Sequence, residues 1–278
     1  MKKVLFILHQ KYYNNKYILY MKTLKLIGYE IHIITDIKET IQYCAKQQES
    51  SLNIIKIKDK INDNYEMIFC NSKILEIFMK LFKRKEKNKI IYINKKINFQ
   101  GISKENHNMK FDKNDGQYIF CSIGKFNSIN NQIMQLESMI RIIRKYPQAK
   151  LILIGQGNLK EYYDHIIEKY ELSENVEIIE NTSLEIDIIK KASCIISTRK
   201  KEEFALDTII AIMLNKPIIA SNIGINKFIL KKENIFLNSD NLKEKMKTNI
   251  EENKIFEQYY NINQNEIEKI LESESIHV

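Results

Sequence analysis

The 278 residues are 44 % apolar, enough to bury a sizeable core, which excludes a disordered polymer. Only 7 Gly and 2 Pro occur, which argues against a turn-rich all-β protein and for long helices between strands. The net charge of +9 is uneven: residues 1–115 hold 23 Lys+Arg against 12 Asp+Glu, while residues 116–278 hold 21 against 23. A basic N-terminal part suits a polyanion or an anionic membrane surface, and equally suits a composition in which lysine is simply the common solubilising residue.

The opening run Met1–Leu8 resembles the start of a signal peptide, but its apolar stretch stops at His9-Gln10-Lys11, as a buried first strand would. Val4–Leu8 reads as a strand, Lys16–Ile27 as a helix closed by Gly28, Glu30–Thr35 as a strand, Ile37–Lys46 as a helix and Leu52–Ile57 as a strand. Glu66–Cys70 is strand-like, Ser72–Lys83 helical and Lys89–Ile93 a strand. The strands are unbroken apolar runs, as in parallel sheets covered on both faces.

Between Asn94 and Gly116 the pattern fails, which predicts a linker. The alternation then restarts, with strands at Tyr118–Ile123, Lys150–Ile154, Val176–Ile179, Cys194–Ser197 and Pro217–Ala220. Helices are expected at Asn130–Tyr146, Leu159–Tyr170, Leu184–Lys191 and Phe204–Leu214, and two more near Asp240–Glu252 and Asn263–Glu272. The chain is therefore expected to be α/β, with one domain over residues 1–115 and a second over 116–278. Two such sheets in tandem imply a cleft, with ligands at the carboxyl ends of the strands.

No apolar run approaches the roughly 20 residues that span a bilayer. Cys44, Cys70, Cys121 and Cys194 are scattered, with no Cys-x-x-Cys or Cys/His cluster, so reduced buried thiols and a cytoplasmic location are expected rather than a zinc site or a disulfide framework. Neither a G-x-G-x-x-G nor a P-loop is present, nor any G-x-S-x-G or H-E-x-x-H.

Three stretches carry candidate chemistry. In Ser122-Ile123-Gly124-Lys125-Phe126 a strand ends in glycine and a cation before a helix expected from Asn130, an arrangement that suits a diphosphate. A surface lysine on a loop would look the same. Leu151–Gly157 is a strand ending in Gly-Gln-Gly, permitting a tight turn. In Ile195–Gly224 a strand delivers Ser197, Thr198 and Arg199 to a loop. There Lys200, Lys201, Glu202 and Glu203 precede an apolar helix, and Pro217 opens another buried strand. Carboxylates and unpaired first-turn N–H groups can hold sugar hydroxyls and a phosphate together, although acids also favour a helix start through its dipole alone.

Taken in order from Tyr118 to Ile229, these stretches resemble the retaining glycosyltransferases of family 4, the group 1 glycosyl transferases. The resemblance includes Asn175-Val176-Glu177-Ile178, Phe204, Leu206, Ala211, Met213 and Lys216-Pro217-Ile218-Ile219-Ala220. It implies the GT-B fold, two Rossmann-like parallel-sheet domains facing a cleft, and transfer of a hexose from a nucleotide-diphosphate sugar to a hydroxyl in polysaccharide or glycoconjugate biosynthesis.

It also implies a donor site in the second domain. Glu202 matches the carboxylate that binds the donor sugar. Lys125 takes the place of the phosphate-binding arginine, without its bidentate fork. The second phosphate cation falls at Asn130 or Asn131 and the ribose-binding glutamate at Ile210. Glu203-Phe204-Ala205 stands for Gly-Phe-Gly, with Leu206 following. Gly224-Ile225 stands for a Gly-Gly pair. Asn94, or more distantly His107, corresponds to a histidine of the N-terminal domain, and no catalytic residue is assigned.

A charge-assisted hydrogen bond contributes on the order of 1.5–3 kcal/mol, so losing two charged partners weakens donor binding by roughly two to four powers of ten. Arg199, Lys200 and Lys201 are placed to replace the charge, with Gly124 as a further phosphate contact. No metal, cofactor or nucleic acid is expected. The partners implied are the nucleotide-sugar donor, a glycan, lipid-linked or protein acceptor, and a peripheral contact of the basic domain with the inner membrane face. A catalytically inactive homologue serving as partner of an active transferase is the alternative, and a nucleotide-sugar epimerase a third reading.

Overall fold

The computed structural model describes residues 2–9, 16–35, 52–54, 64–72, 76–77, 80, 89–92, 102–103, 116–180, 184–201 and 205–252. The expected helices Ile37–Lys46 and Asn263–Glu272, most of Ser72–Lys83, and Glu202, Glu203 and Phe204 lie outside them. The described residues up to Tyr92 form one compact unit and those from Ile102 onward another.

The first unit is a five-stranded parallel sheet. Its elements are β1 (Lys2–Leu8), α1 (Lys16–Leu26), β2 (Tyr29–Thr35), β3 (Leu52–Ile54), β4 (Met67–Cys70) and β5 (Ile90–Tyr92), with strand order β3-β2-β1-β4-β5. The unbroken apolar runs of β1 and β4 are buried on both faces, as parallel strands require. Phe6 stacks on Phe69 at 4.7 Å, and Tyr20 of α1 meets Phe69 edge-on at 5.5 Å. Helix α1 ends where Gly28, at φ +88°, donates its N–H to Lys25.

The second unit has a six-stranded parallel sheet. Its strands are β7 (Tyr118–Ile123), β8 (Ala149–Ile154), β9 (Val176–Ile179), β11 (Cys194–Ser197), β12 (Ile218–Ser221) and β13 (Ile235–Phe236), in the order β13-β12-β11-β7-β8-β9. Its helices are α2 (Ile133–Ile142), α3 (Lys160–Lys169), α4 (Ile186–Lys191), α5 (Leu206–Met213), α6 (Asn226–Ile229) and α7 (Ser239–Glu252). A two-residue parallel pair, β6 (Ile102–Ser103) with β10 (Leu184–Glu185), belongs to the same unit. Residues 102–103, expected as linker, thus pair as a strand, and the helix expected from Leu184 begins at Ile186 because Leu184 and Glu185 take part in that pair.

The core of this unit packs Phe120, Phe126, Leu136, Met139, Leu151, Leu153 and Tyr163 with Leu242 and Met246 of α7. Two parallel sheets with helical crossovers bear out the α/β, GT-B expectation of the sequence.

Candidate functional site

The second sheet grows outward from β7 in both directions: first β8 and β9 on one side, then β11, β12 and β13 on the other. The order reverses between β7 and β11, and crevices at such switch points are where open α/β sheets bind ligands. Lys125 follows β7, and Arg199, Lys200 and Lys201 follow β11, so both cationic loops leave adjacent strands at the same sheet edge.

The two loops are joined. Lys200 donates its backbone N–H to the Ile129 carbonyl at 2.8 Å. The Thr198 hydroxyl lies 2.9 and 3.0 Å from the carbonyl oxygens of Asn130 and Asn131 and shares its one hydrogen between them. It also accepts from Gln135 Nε2 at 2.8 Å, and the same amide donates to Ser122 Oγ at 2.9 Å.

Amides, not charges, shape the loop after β7. Asn127 Oδ1 accepts the N–H groups of Ile129 and Asn130. Asn130 Nδ2 donates to the Lys125 carbonyl at 2.8 Å, and Gln132 Nε2 to the Gly124 and Lys125 carbonyls at 3.2 Å. Gln132 Oε1 in turn accepts from the Tyr163 hydroxyl at 3.0 Å, whose pKa burial pushes up to about 12. Asn131 takes φ +55°, a left-handed conformation that asparagine tolerates better than most residues. This turn delays α2, which begins at Ile133 and not at Asn130.

Lys125, Lys200 and Lys201 are exposed, and Gly124 is half-buried. Asn130 and Asn131, where a second cation was missing from the sequence, are buried. Four buried polar atoms at this edge have no hydrogen-bond partner among the described residues: Asn130 Oδ1, Asn131 Nδ2, Gln135 Oε1 and Ser197 Oγ. Buried polar groups left unpaired are uncommon and are one mark of a site that receives a ligand or water.

Arg199 differs from its lysine neighbours. Its side chain is 10 % exposed, and Nη2 lies 3.2 Å from Asp207 Oδ1. Helix α5 starts at Leu206, two residues later than expected, and its first-turn acid is Asp207, a residue the sequence reading did not single out. Ala205 and Ile210 are buried, Ile210 completely. Beyond β12, Asn226 accepts from the Thr208 hydroxyl at 2.8 Å and donates to the Ser221 carbonyl at 3.1 Å, tying α5 to the next strand end.

The first sheet has its own switch point, between β1 and β4. There the buried Asn71 side chain accepts from His9 N at 2.9 Å and donates to His9 O at 3.0 Å. His9 was read only as the end of an apolar run. Asn94 and His107, the positions considered for the N-terminal domain, lie outside the described residues. Among the described residues no cluster of three His, Cys, Asp or Glu could hold a metal, and no helix is long and apolar enough to cross a membrane.

The family model of the glycosyl transferases group 1 matches residues 103–268, more than half of the chain and nearly all of the second unit. The chain belongs to this family. An uncharacterised glycosyltransferase of Methanocaldococcus jannaschii is 28 % identical over 156 residues, which are 55 % of this chain and 37 % of that protein. The chain therefore matches well under half the length of that relative.

Among solved structures, HepE of Anabaena, in complex with UDP and glucose, aligns with 99 % of this chain and 96 % of its own at TM-score 0.48 and 11 % identity. The C-terminal domain of the group 1 protein LpcC of Francisella tularensis aligns with 59 % of this chain and 91 % of its own at TM-score 0.45 and 17 % identity. Membership gives the residue order from Lys125 to Ile210 its frame: in this group 1 chain, the family's region holds a reversed strand order, two joined loops and three exposed lysines.

Proposed function

We propose that the chain transfers a sugar from a nucleoside diphosphate sugar to a hydroxyl of a glycan, lipid-linked or protein acceptor, with retention of anomeric configuration. The bond from the anomeric carbon to the diphosphate oxygen breaks, a bond to the acceptor oxygen forms on the same face, and the acceptor's proton leaves with the diphosphate. Lys125, Lys200 and Lys201 meet the charge that develops on the leaving diphosphate, as positioned cations do in such reactions. Glu202, with Glu203 beside it, orients the donor sugar.

The observation that carries this reading is the meeting of the Lys125 and Lys200 loops at the switch point, fixed by the Lys200 N to Ile129 O hydrogen bond. Cytoplasmic glycan assembly, with the basic N-terminal part against an anionic inner membrane face, fits the charge excess in residues 1–115.

Calorimetric titration with UDP, GDP and ADP, followed by an assay of sugar release from the corresponding nucleotide sugars, tests the reading. Binding of one nucleotide, weakened by Lys125→Ala, together with donor turnover is the expected result. No binding by any of them overturns it.

One observation favours a second reading, an inactive homologue that stabilises an active transferase. Asn130 turns its amide inward to the Lys125 carbonyl, and Ile210 is completely buried, so neither position offers a charge to a nucleotide. Silence toward every nucleotide, with co-purification of a transferase, would favour it.

A further inference from the structure

We infer that Gln132 is a positioning residue for Lys125: it holds the Gly124–Lys125 peptide so that the Lys125 backbone N–H, together with the ammonium, is offered to an oxygen of the donor's diphosphate. The inference deepens the donor-site reading above and rests on it.

Gln132 is buried and stands just before α2. Its Nε2 lies 3.2 Å from Gly124 O and 3.2 Å from Lys125 O. Carbonyls only accept, so the NH2 end of the side chain has to face them. The other end accepts from the Tyr163 hydroxyl at 3.0 Å. Burial raises the pKa of that phenol to about 12, so at neutral pH it keeps its proton and donates. Tyr163 is itself buried, and its ring meets Phe126 edge-on at 5.4 Å. Both polar atoms of the Gln132 side chain are therefore engaged, and the amide cannot turn over without leaving a buried group unpaired.

This capture decides which edge of the backbone the loop offers. The Lys125 carbonyl has a second partner in Asn130 Nδ2 at 2.8 Å, whereas Gly124 O has no other among the described residues. No peptide bond among them is cis, so Gly124 C=O and Lys125 N–H point in opposite directions from one planar unit. With the carbonyl drawn to Gln132, the N–H is turned away from that buried amide. The neighbouring N–H groups are spent: Gly124 N donates to Ile154 O at 2.9 Å and Phe126 N to Gln156 O at 3.0 Å. Lys125 N has no partner among the described residues, and Lys125 is exposed. A free backbone donor and an ammonium on one exposed residue suit an anion, to which hydrogen bonds are short and strong.

Selective 15N-lysine labelling of the full chain reads that N–H directly by NMR, with Lys125→Arg to identify its signal by loss. Saturation with whichever of UDP, GDP or ADP binds should move the Lys125 amide proton downfield, as hydrogen bonding to phosphate does. Gln132→Met nearly keeps the volume and removes the amide. It should weaken nucleotide binding about tenfold, the worth of one charge-assisted hydrogen bond, and abolish the shift at saturation. A merely structural role would lower the urea midpoint and leave the shift of the bound state intact. Tyr163→Phe should give a smaller loss of the same kind, and it carries the test if Gln132→Met fails to fold. The double variant should bind within about twofold of Gln132→Met alone, because the hydroxyl acts through the amide.

A nucleotide that binds the wild type without moving the Lys125 amide, a full shift in both Gln132→Met and Tyr163→Phe, or losses that multiply in the double variant overturn the inference and leave the donor reading standing. Inorganic diphosphate separates the remaining cases. If it moves the Lys125 signal and no nucleotide binds, the donor reading fails and the anion contact set by Gln132 stands. If neither inorganic diphosphate nor any nucleotide moves the signal or binds, both fail.

Discussion

Gly155 lies so close to the end of β7 that a Cβ on it would stand 2.1 Å from the carbonyl oxygen of Gly124. Gly124 N donates to the Ile154 carbonyl and Phe126 N to the Gln156 carbonyl, so the two chains remain paired beyond their strands. The backbone at Gly124, at the start of the loop that presents Lys125, fills the space a side chain on Gly155 would need.

Gly155→Ala therefore has to move backbone, not a flexible side-chain tip. It also adopts φ +151°, which a residue with a Cβ rarely does. Replacement by alanine at a strained position costs more than the small entropic gain of removing a glycine, and a loss of about 1–3 kcal/mol is expected. Urea unfolding of the variant should show a lower midpoint with an unchanged slope, and nucleotide binding should weaken because the Lys125 loop shifts.

Thr198→Val keeps the volume and removes the hydroxyl. The carbonyls of Asn130 and Asn131 and the Gln135 amide each lose a partner in a buried place. Leaving such groups unsatisfied costs about 1–3 kcal/mol, more than an average hydrogen bond contributes. Thermal unfolding should register the loss, and Thr198→Ser should recover most of it.

Lys125→Met should behave in the opposite way. The side chain is exposed, so stability should stay within about 0.5 kcal/mol of wild type. Affinity for the nucleoside diphosphate should fall about tenfold, the worth of one charged hydrogen bond. An unchanged dissociation constant would remove Lys125 from the site.

The central strands were legible because parallel strands buried on both faces read as unbroken apolar runs: Tyr118–Ile123 and Cys194–Ser197 carry that signal without help from their neighbours. What alternation does not carry is strand order. That β11 lies beside β7, and so brings Thr198 to Asn130, depends on a pairing across more than seventy residues.

Gln132 and Gln135 do not declare themselves in the sequence, because nothing local tells a buried amide holding a hydrogen-bond partner from one facing water. The β6–β10 pair is two residues on each side, too short for any period. The Arg199–Asp207 pair did leave a trace, as opposite charges flanking a loop between a buried strand and a buried helix.

The thiols give a pH-dependent prediction. Cys70 and Cys121 are buried, and desolvation raises both from 9.0 to about 12; Cys194 is raised further by the same cause. A raised folded-state pKa means that the native state holds the proton more tightly than the unfolded chain. The stabilisation is thus complete below pH 9, the unfolded value, and is lost as pH climbs from there toward 12. Melting temperature should accordingly be flat with respect to these groups up to about pH 8.5 and decline above pH 9.

Below that range the thiolate, which is the reactive species, is scarce at all three positions. Iodoacetamide at pH 8 should modify the peptides containing Cys70, Cys121 and Cys194 slowly in the native protein and rapidly in urea. Fast native labelling of Cys121 or Cys194 would mean that the β7–β11 seam, beneath the proposed donor site, opens more readily than its complete burial allows.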